Sequence, residues 1–250
     1  MRIENSFILA PGIGEKTEKK LWRNGFTHWD HIDECDLVSE NRRQKTIDFL
    51  EKARTNLEVG NTVFFGDKLP SGELWRMYEN FRDNVCFFDI ETTGLDASSN
   101  KVTTVSFHRG GEDVTLVRGQ DLTRERLKKE LFESSMLVSF NGKRFDQPFL
   151  EKSFGIDMET PHLDLMYTCR RLGISGGLKE VEKKLGIQRE LEDIDGREAI
   201  RLWKRYERKD DEDALDKLVK YNRYDARNLK KLLSEAHSRL EQETYRKHLQ

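Results

Sequence analysis

The residues best placed to do chemistry are Asp89 and Glu91 in the stretch CFFDIETTGLD, which runs from Cys86 to Asp96. They follow an apolar run that reads as a buried strand and precede a Thr-Thr-Gly turn. Two residues apart on a strand, both side chains point to one face. Two adjacent carboxylates repel each other, and their desolvation is costly unless a cation sits between them. Oxygen ligands with no nearby Cys or His suit Mg2+ or Mn2+. Taken alone, the pair has a plainer alternative, a helix-capping Asp and an exposed Glu.

Two further stretches carry acids of the same kind. In SFNGKRFDQPFL, Asp146 directly follows a strand that ends at Phe140, with Asn141 and Phe145 between. Strand ends are where loops converge on ligands, although an Asp in that position also serves as a helix N-cap. In YNRYDARNL, Tyr221 and Asp225 are four apart and project from one face of a long helix. Leu215, Leu218, Leu229 and Leu232 supply that helix's apolar stripe. A solvated Asp beside a core Tyr is the alternative there.

The elements around these acids follow from periodicity. VCFFDI is a continuous apolar run, as expected of a central strand. KVTTVSFH and DVTLVRG alternate and are joined by RGGE, a hairpin signal. TRERLKKELFES reads as a helix capped by Thr123, MLVSF as a buried strand, FDQPFLEKSFG as a short helix and HLDLMY as a strand end. Helices follow in GLKEVEKKLG, GREAIRLWKRYER and a long segment from about Asp213 to His237. The order β-β-β-α-β-α-β and then helices predicts an α/β fold, a mixed five-stranded sheet flanked by helices. Before it, residues 1–60 read as a small all-α domain, with Thr27 and Ser39 as caps and Ile47, Leu50 and Ala53 at helical spacing. Residues 61–83 read as an irregular linker, 84–237 as the main domain and 238–250 as a polar tail that frays.

In chain order the three acidic stretches are D-x-E at a strand end, N-x3-F-D after a later strand, and Y-x3-D on a C-terminal helix. This set resembles the three exonuclease motifs of the DEDD superfamily, within the ribonuclease H-like fold. Tyr221, four residues before Asp225, matches the tyrosine subclass shared with proofreading domains of family B DNA polymerases. The histidine subclass has its His five residues before the Asp, where this chain has Lys220. A narrower resemblance, to the YprB-type family, rests on FNGKRFDQPFL, HLDLMY, LKEVEKKLGI and YNRYDARNL and covers roughly Asn84 to Leu233.

The resemblance implies a 3'-5' exonuclease that hydrolyses phosphodiesters with two divalent ions, Mg2+ or Mn2+, about 4 Å apart. It implies that Asp89 bridges the ions, that Glu91 and Asp225 complete the site that activates water, and that Asp146 holds the second ion through water. Tyr221 is expected to orient the attacking water, because a phenol with a pKa near ~10 is a poor base at neutral pH. Thr92, Thr93 and Leu95 resemble the part of the first motif that touches the terminal nucleotide. Phe140, Asn141 and Phe145 are expected to support or stack on substrate, with ordinary loop packing as the alternative for all six. Asp164 is expected to cap the helix after it rather than touch metal. His162 is read as structural, and the acidic run Asp210 to Asp216 as a solvated first turn.

Near the start, APGIGEKTEKKLWRNGF resembles the hairpin of helix-hairpin-helix modules. Gly12 and Gly14 let backbone N–H groups approach a phosphate, and Lys16, Lys19, Lys20 and Arg23 add charge. Such contact is independent of sequence and sensitive to salt. The departure is that only a short stretch precedes Pro11, leaving little room for a first helix.

The 44 Lys and Arg nearly balance the 46 Asp and Glu, for a net charge of -2, which excludes a nonspecific polycation but not a local basic groove. Cys35, Cys86 and Cys169 are an odd set without a CxxC pair, so neither a disulfide framework nor a zinc ribbon is expected. There is no apolar run near 18 residues. The expectation is a cytoplasmic nuclease with nucleic acid as partner, DNA before RNA, and no membrane association. The alternatives are an RNA 3'-processing exonuclease and a non-catalytic nucleic-acid adaptor. The presence of all four acids and the tyrosine weighs against the adaptor.

Overall fold

The computed structural model describes residues 1–189 and 194–249. The chain divides into two compact units, one of Met1–Arg82 with Glu235–Gln250 and the other of Asp83–Ser234.

The second unit is built on a five-stranded sheet. Its strands are β1 (Val85–Thr92), β2 (Val102–Arg109), β3 (Glu112–Val117), β4 (Met136–Ser139) and β5 (His162–Asp164), in the order β3-β2-β1-β4-β5. β1, β2 and β3 pair antiparallel, while β4 and β5 run parallel to β1. Gly110 and Gly111, both at positive φ, close the β2–β3 hairpin across the Arg109–Glu112 pair. Primed turns match the twist of the strands and require this backbone region. β2 alternates in sequence, yet it is buried along nearly its whole length, with Val105 and Phe107 in a core shared with Leu127, Leu131, Phe149 and Leu150.

The helices are α5 (Arg124–Phe132), α6 (Asp146–Phe154), α7 (Leu165–Arg171), α8 (Leu178–Lys184), α9 (Gly196–Lys209) and α10 (Glu212–Thr244). HLDLMY, read as a strand end, is divided: β5 stops at Asp164, which caps α7, and Leu165–Tyr167 are already helix. Thr123 caps α5 by accepting from the Arg126 amide. One core joins Phe88, Ile90, Val105 and Phe107 of the sheet to Leu127, Leu131, Phe149 and Leu150 of α5 and α6. Another packs Trp203 and Leu202 of α9 against Leu215, Leu218 and Tyr221 of α10. Arg223 and Arg227 tie α10 to Thr115 and Asp113 on β3. In the acidic run, Asp210 ends α9 in the left-handed region, and Asp211 accepts the Ala214 amide at the start of α10.

The first unit contains α1 (Glu15–Arg23), α2 (Glu40–Glu58), α3 (Thr62–Lys68) and α4 (Tyr78–Phe81). Residues 61–83, expected as an irregular linker, are instead α3, a 3-10 segment over Ser71–Met77 and α4. They bury Phe65, Trp75, Arg76 and Met77 completely, so their turn residues punctuate short helices and do not mark a boundary. Arg76 lies 5.6 Å from the rings of both Trp22 and Trp75 and pairs with Glu18 and Glu73. Nor do residues 238–249 form a frayed tail, residue 250 lying outside the described residues. α10 continues to Thr244, and Tyr245 packs edge-on against Trp22 and hydrogen-bonds the Thr27 carbonyl. The polar sequence there hides a single buried face. Thr27 is not a cap: the next 3-10 segment begins after His28, whose Nδ1 accepts the Asp30 amide.

Before α1, the chain forms only a short 3-10 turn over Ile3–Asn5, in place of a first helix. Residues 6–8 are pinned to the buried Glu18 carboxylate, which accepts the Phe7 and Ile8 amides at 2.7 and 2.9 Å. Gly12 is at positive φ and exposed, Gly14 is the N-cap residue of α1, and Lys16 is exposed on the first turn. Cys35, Cys86 and Cys169 are buried, and none forms a disulfide among the described residues. No helix among the described residues is long and apolar enough to cross a membrane.

Candidate metal centre

β1 carries Asp89 and Glu91 past the point where its neighbours stop pairing in regular register. The parallel ladder with β4 ends at Phe87–Val138, and the antiparallel ladder with β2 shifts between Glu91 and Thr92. Irregularities of this kind re-aim side chains next to active sites. One carboxylate oxygen each from Asp89, Glu91 and Asp225 lies within 4.8 Å of the others, and this is the acid cluster that the described residues form. Asp225 comes from α10 and is buried, while Asp89 and Glu91 are half-buried.

Asp146 stands outside that cluster but close to it. It is the first residue of α6 and 4% exposed, and the N-cap residue is Phe145, so the capping alternative for Asp146 does not hold. Its carboxylate takes the backbone N–H of Ile90, between the two acids of β1. Gly142 makes this approach possible: a Cβ there would fall 2.0 Å from Ser139 Oγ and 3.4 Å from Asp146 Cγ.

Burial raises the pKa of all four acids, and for Asp89 and Glu91 the neighbouring acids add to it. Asp89 is held well above the carboxylate range by burial first, then by the charges of Asp146, Asp225 and Glu91. Glu91 is raised well above its usual value by burial and by Asp225 and Asp146. Burial pushes Asp146 up to about 7, with the charge of Asp164 adding. Asp225 rises to about 6, burial outweighing the opposing pull of Arg189. Such a cluster is a poor place for anions unless cations join them. The donor set, all carboxylate oxygen, fits a hard divalent ion.

Tyr221 is buried and donates its hydroxyl to Asp225. Burial, Asp225, Glu91 and Asp89 all push the phenol's pKa upward, so it keeps its proton and is no base. Asp164 holds the loop that leads to Asp146: its carboxylate accepts the amides of Asn141 at 2.8 Å and Lys143 at 3.2 Å, and caps α7 through Met166. This hold fixes Asn141 at φ 62. His162 is structural, bonded to Ser139 Oγ at 2.7 Å and to Gln147.

The six expected substrate contacts differ in how free they are. Thr92 and Thr93 spend their hydroxyls on the turn after β1, on the Gly94 carbonyl and on Asn100. Phe145 packs on Phe149, Phe140 and Asn141 are half-buried, and Leu95 is 84% exposed. The sequence reading passes over Asn222 and Arg189. Asn222 donates Nδ2 to Asp89 Oδ2, and Arg189 pairs with Asp225. Asn222 lies three residues before Asp225, a spacing that sets it on the same side of α10, and this is the one signal that marks it.

Residues 86–237 match the model of the RNase_H superfamily. Among solved structures, NrnC of Brucella melitensis with bound Mg2+ is 22% identical with a TM-score of 0.49, covering 69% of this chain and 81% of that one. The same protein bound to pGG is 20% identical with a TM-score of 0.49, covering 69% and 80%. The family B DNA polymerase of Pyrobaculum calidifontis is 16% identical with a TM-score of 0.48, covering 62% of this chain and 27% of its own. Among curated proteins none matches.

Proposed function

The chain belongs to the RNase_H superfamily, and we propose that it is a metal-dependent nuclease, a 3'-5' exonuclease of the tyrosine-bearing DEDD type acting on DNA. The observation that carries this reading is the convergence of Asp89, Glu91 and Asp225 within 4.8 Å, with Asp146 beside them and Tyr221 on Asp225. Asp89, Glu91 and Asp225 would hold the divalent ions, Mg2+ or Mn2+, and Asp146 would complete the set. Such ions, when bound, neutralise the scissile phosphate and lower the pKa of water. Asn222 keeps Asp89 oriented, and the loop pinned by Asp164 keeps Asp146 in place. Tyr221, which remains protonated, orients the incoming water and leaves proton transfer to others. Leu95 and Phe140 offer apolar surface to the terminal nucleotide, and Thr92, Thr93, Asn141 and Phe145 shape the walls behind it. In this reading DNA is the substrate, a preference that rests on the likeness of the exposed turn at Gly12 and Gly14, with Lys16 after it, to phosphate-gripping hairpins.

The test is digestion of matched DNA and RNA oligonucleotides, labelled at either end, in Mn2+. Stepwise shortening from the 3' end, faster on DNA and abolished by chelator and by Asp89→Ala, is the expected result. Binding without turnover under every metal would establish an adaptor instead.

A further inference from the structure

Beside the candidate metal centre stands a cation that none of the three motifs contains. The Arg189 guanidinium donates through Nη2 to Asp225 Oδ1 and through Nη1 to Glu182 Oε2. Glu182 is fully buried on α8, and its other oxygen accepts Asn228 Nδ2 at 2.9 Å. Asn228 lies three residues after Asp225 on the same helix, so the contacts form a ring that leaves α10 at Asp225 and returns to it at Asn228. The Arg189 side chain is 6% exposed, and its guanidinium lies 6.0 Å from the Tyr224 ring centre. The Tyr224 hydroxyl donates to the Gln188 carbonyl, which fixes the backbone next to Arg189.

A carboxylate on two rotatable bonds, facing three others of like charge, is pushed out of any cage it helps to form. A planar fork donor with a second anchor on a buried acid opposes that push, and it does so before any ion arrives. A lysine in its place has one point of charge and cannot bridge both acids in the same way. Because Arg189 engages Oδ1, the carboxylate keeps a second oxygen for an ion.

We propose that Arg189, braced by Glu182, is a positioning residue for this centre, fixing the Asp225 carboxylate in the orientation that receives a divalent cation. The proposal rests on the metal-nuclease reading above. Asp225 and Glu182 lie far apart in sequence but are joined through one guanidinium, so the segment after α8 becomes part of the metal centre's support.

Mn2+ binding to the full-length chain by titration calorimetry, without substrate, is the primary test. Arg189→Met leaves Glu182 unpaired inside the fold and is prone to misfold. The double variant Glu182→Gln/Arg189→Met removes both charges and keeps an acceptor for Asn228. In the folded double variant, Mn2+ affinity is expected to fall by about 10- to 100-fold. Its kcat on a 3'-labelled strand is expected to fall while KM holds, and Arg189→Lys is expected to restore only part of the affinity. Affinity equal to wild type overturns the role, and tighter binding overturns it too, by showing Arg189 as a competitor for Asp225. A wild-type chain that neither binds Mn2+ nor cuts brings down the nuclease reading itself, whereas a wild type that does both isolates the failure to Arg189.

Discussion

Asn222 donates its side-chain amide to Asp89 Oδ2 at 2.7 Å, across 133 residues of sequence. The bond joins α10 to β1 at the acid whose charge is most crowded by its neighbours. Asn222 is fully buried, and its Oδ1 has no partner among the described residues. Support of this kind sets the orientation of a metal ligand as firmly as the ligand's own backbone does. Asn222→Ala is therefore expected to weaken Mn2+ binding by about 10- to 100-fold. Calorimetric titration of the folded variant checks this, and unchanged affinity would refute it.

Asp89→Asn should abolish hydrolysis, by about a thousandfold or more given that such residues act as a unit. The same change should stabilise the metal-free chain by about 1 kcal/mol or more, since an ionised group is removed from a site that disfavours it. Asp225→Asn should show no such gain, because Arg189 loses its charged partner. Thermal denaturation in chelator separates the two variants.

The metal-free fold should lose stability as pH rises from about 5 to 8. Asp146 has its pKa raised to about 7 and Asp225 to about 6, and Asp89 and Glu91 are raised as well. In the unfolded chain these acids titrate near ~4. Between those limits the folded state binds more protons than the unfolded one, so unfolding free energy falls with rising pH. Saturating Mn2+ should flatten or reverse the slope, and Mn2+ affinity should climb through the same window. Denaturant titrations at stepped pH, with and without metal, provide the check.

Tyr221→Phe should lower kcat by about 100-fold, the scale of loss when a reacting group is misplaced. It should leave the alkaline side of the pH–rate profile unmoved, since the phenol is already protonated throughout that range. A lost alkaline limb in the variant would show that the hydroxyl had been titrating.

Gly142→Ala places a methyl 2.0 Å from Ser139 Oγ. The cost should be about 1–3 kcal/mol, as for other overpacked sites. Activity should fall further than stability does, because the clash with Ser139 at the end of β4 shifts the loop that leads to Asp146. Melting temperature and rate, compared on one preparation, test the pairing.

The strands and most helices of the second unit were legible because apolar runs, the Gly110–Gly111 turn and the Thr123 cap are local signals, whereas the order of the strands in the sheet was not. The acids were legible through their spacing. Asp89 and Glu91 declare a shared strand face, and Tyr221 and Asp225 a shared helix face. What local pattern cannot carry is partnership at long range. Arg189 reads as one of many surface arginines until Asp225 and Glu182 are seen beside it. Likewise Arg76 in an apparent linker has one partner close by, Glu73, and the other, Glu18, 58 residues earlier. Residues 238–250 looked unstructured because one buried face, with Leu240 and Tyr245, is thinly spread among charges.

The brevity of β4 has a chemical outcome. Its ladder with β1 stops at Phe87–Val138, and just beyond that end the amide of Ile90 meets the Asp146 carboxylate. A strand extended by one more hydrogen-bonding pair would claim that amide for the sheet and strip the acid of a donor. The candidate metal centre thus depends on the length of a neighbouring strand as well as on the identity of its acids.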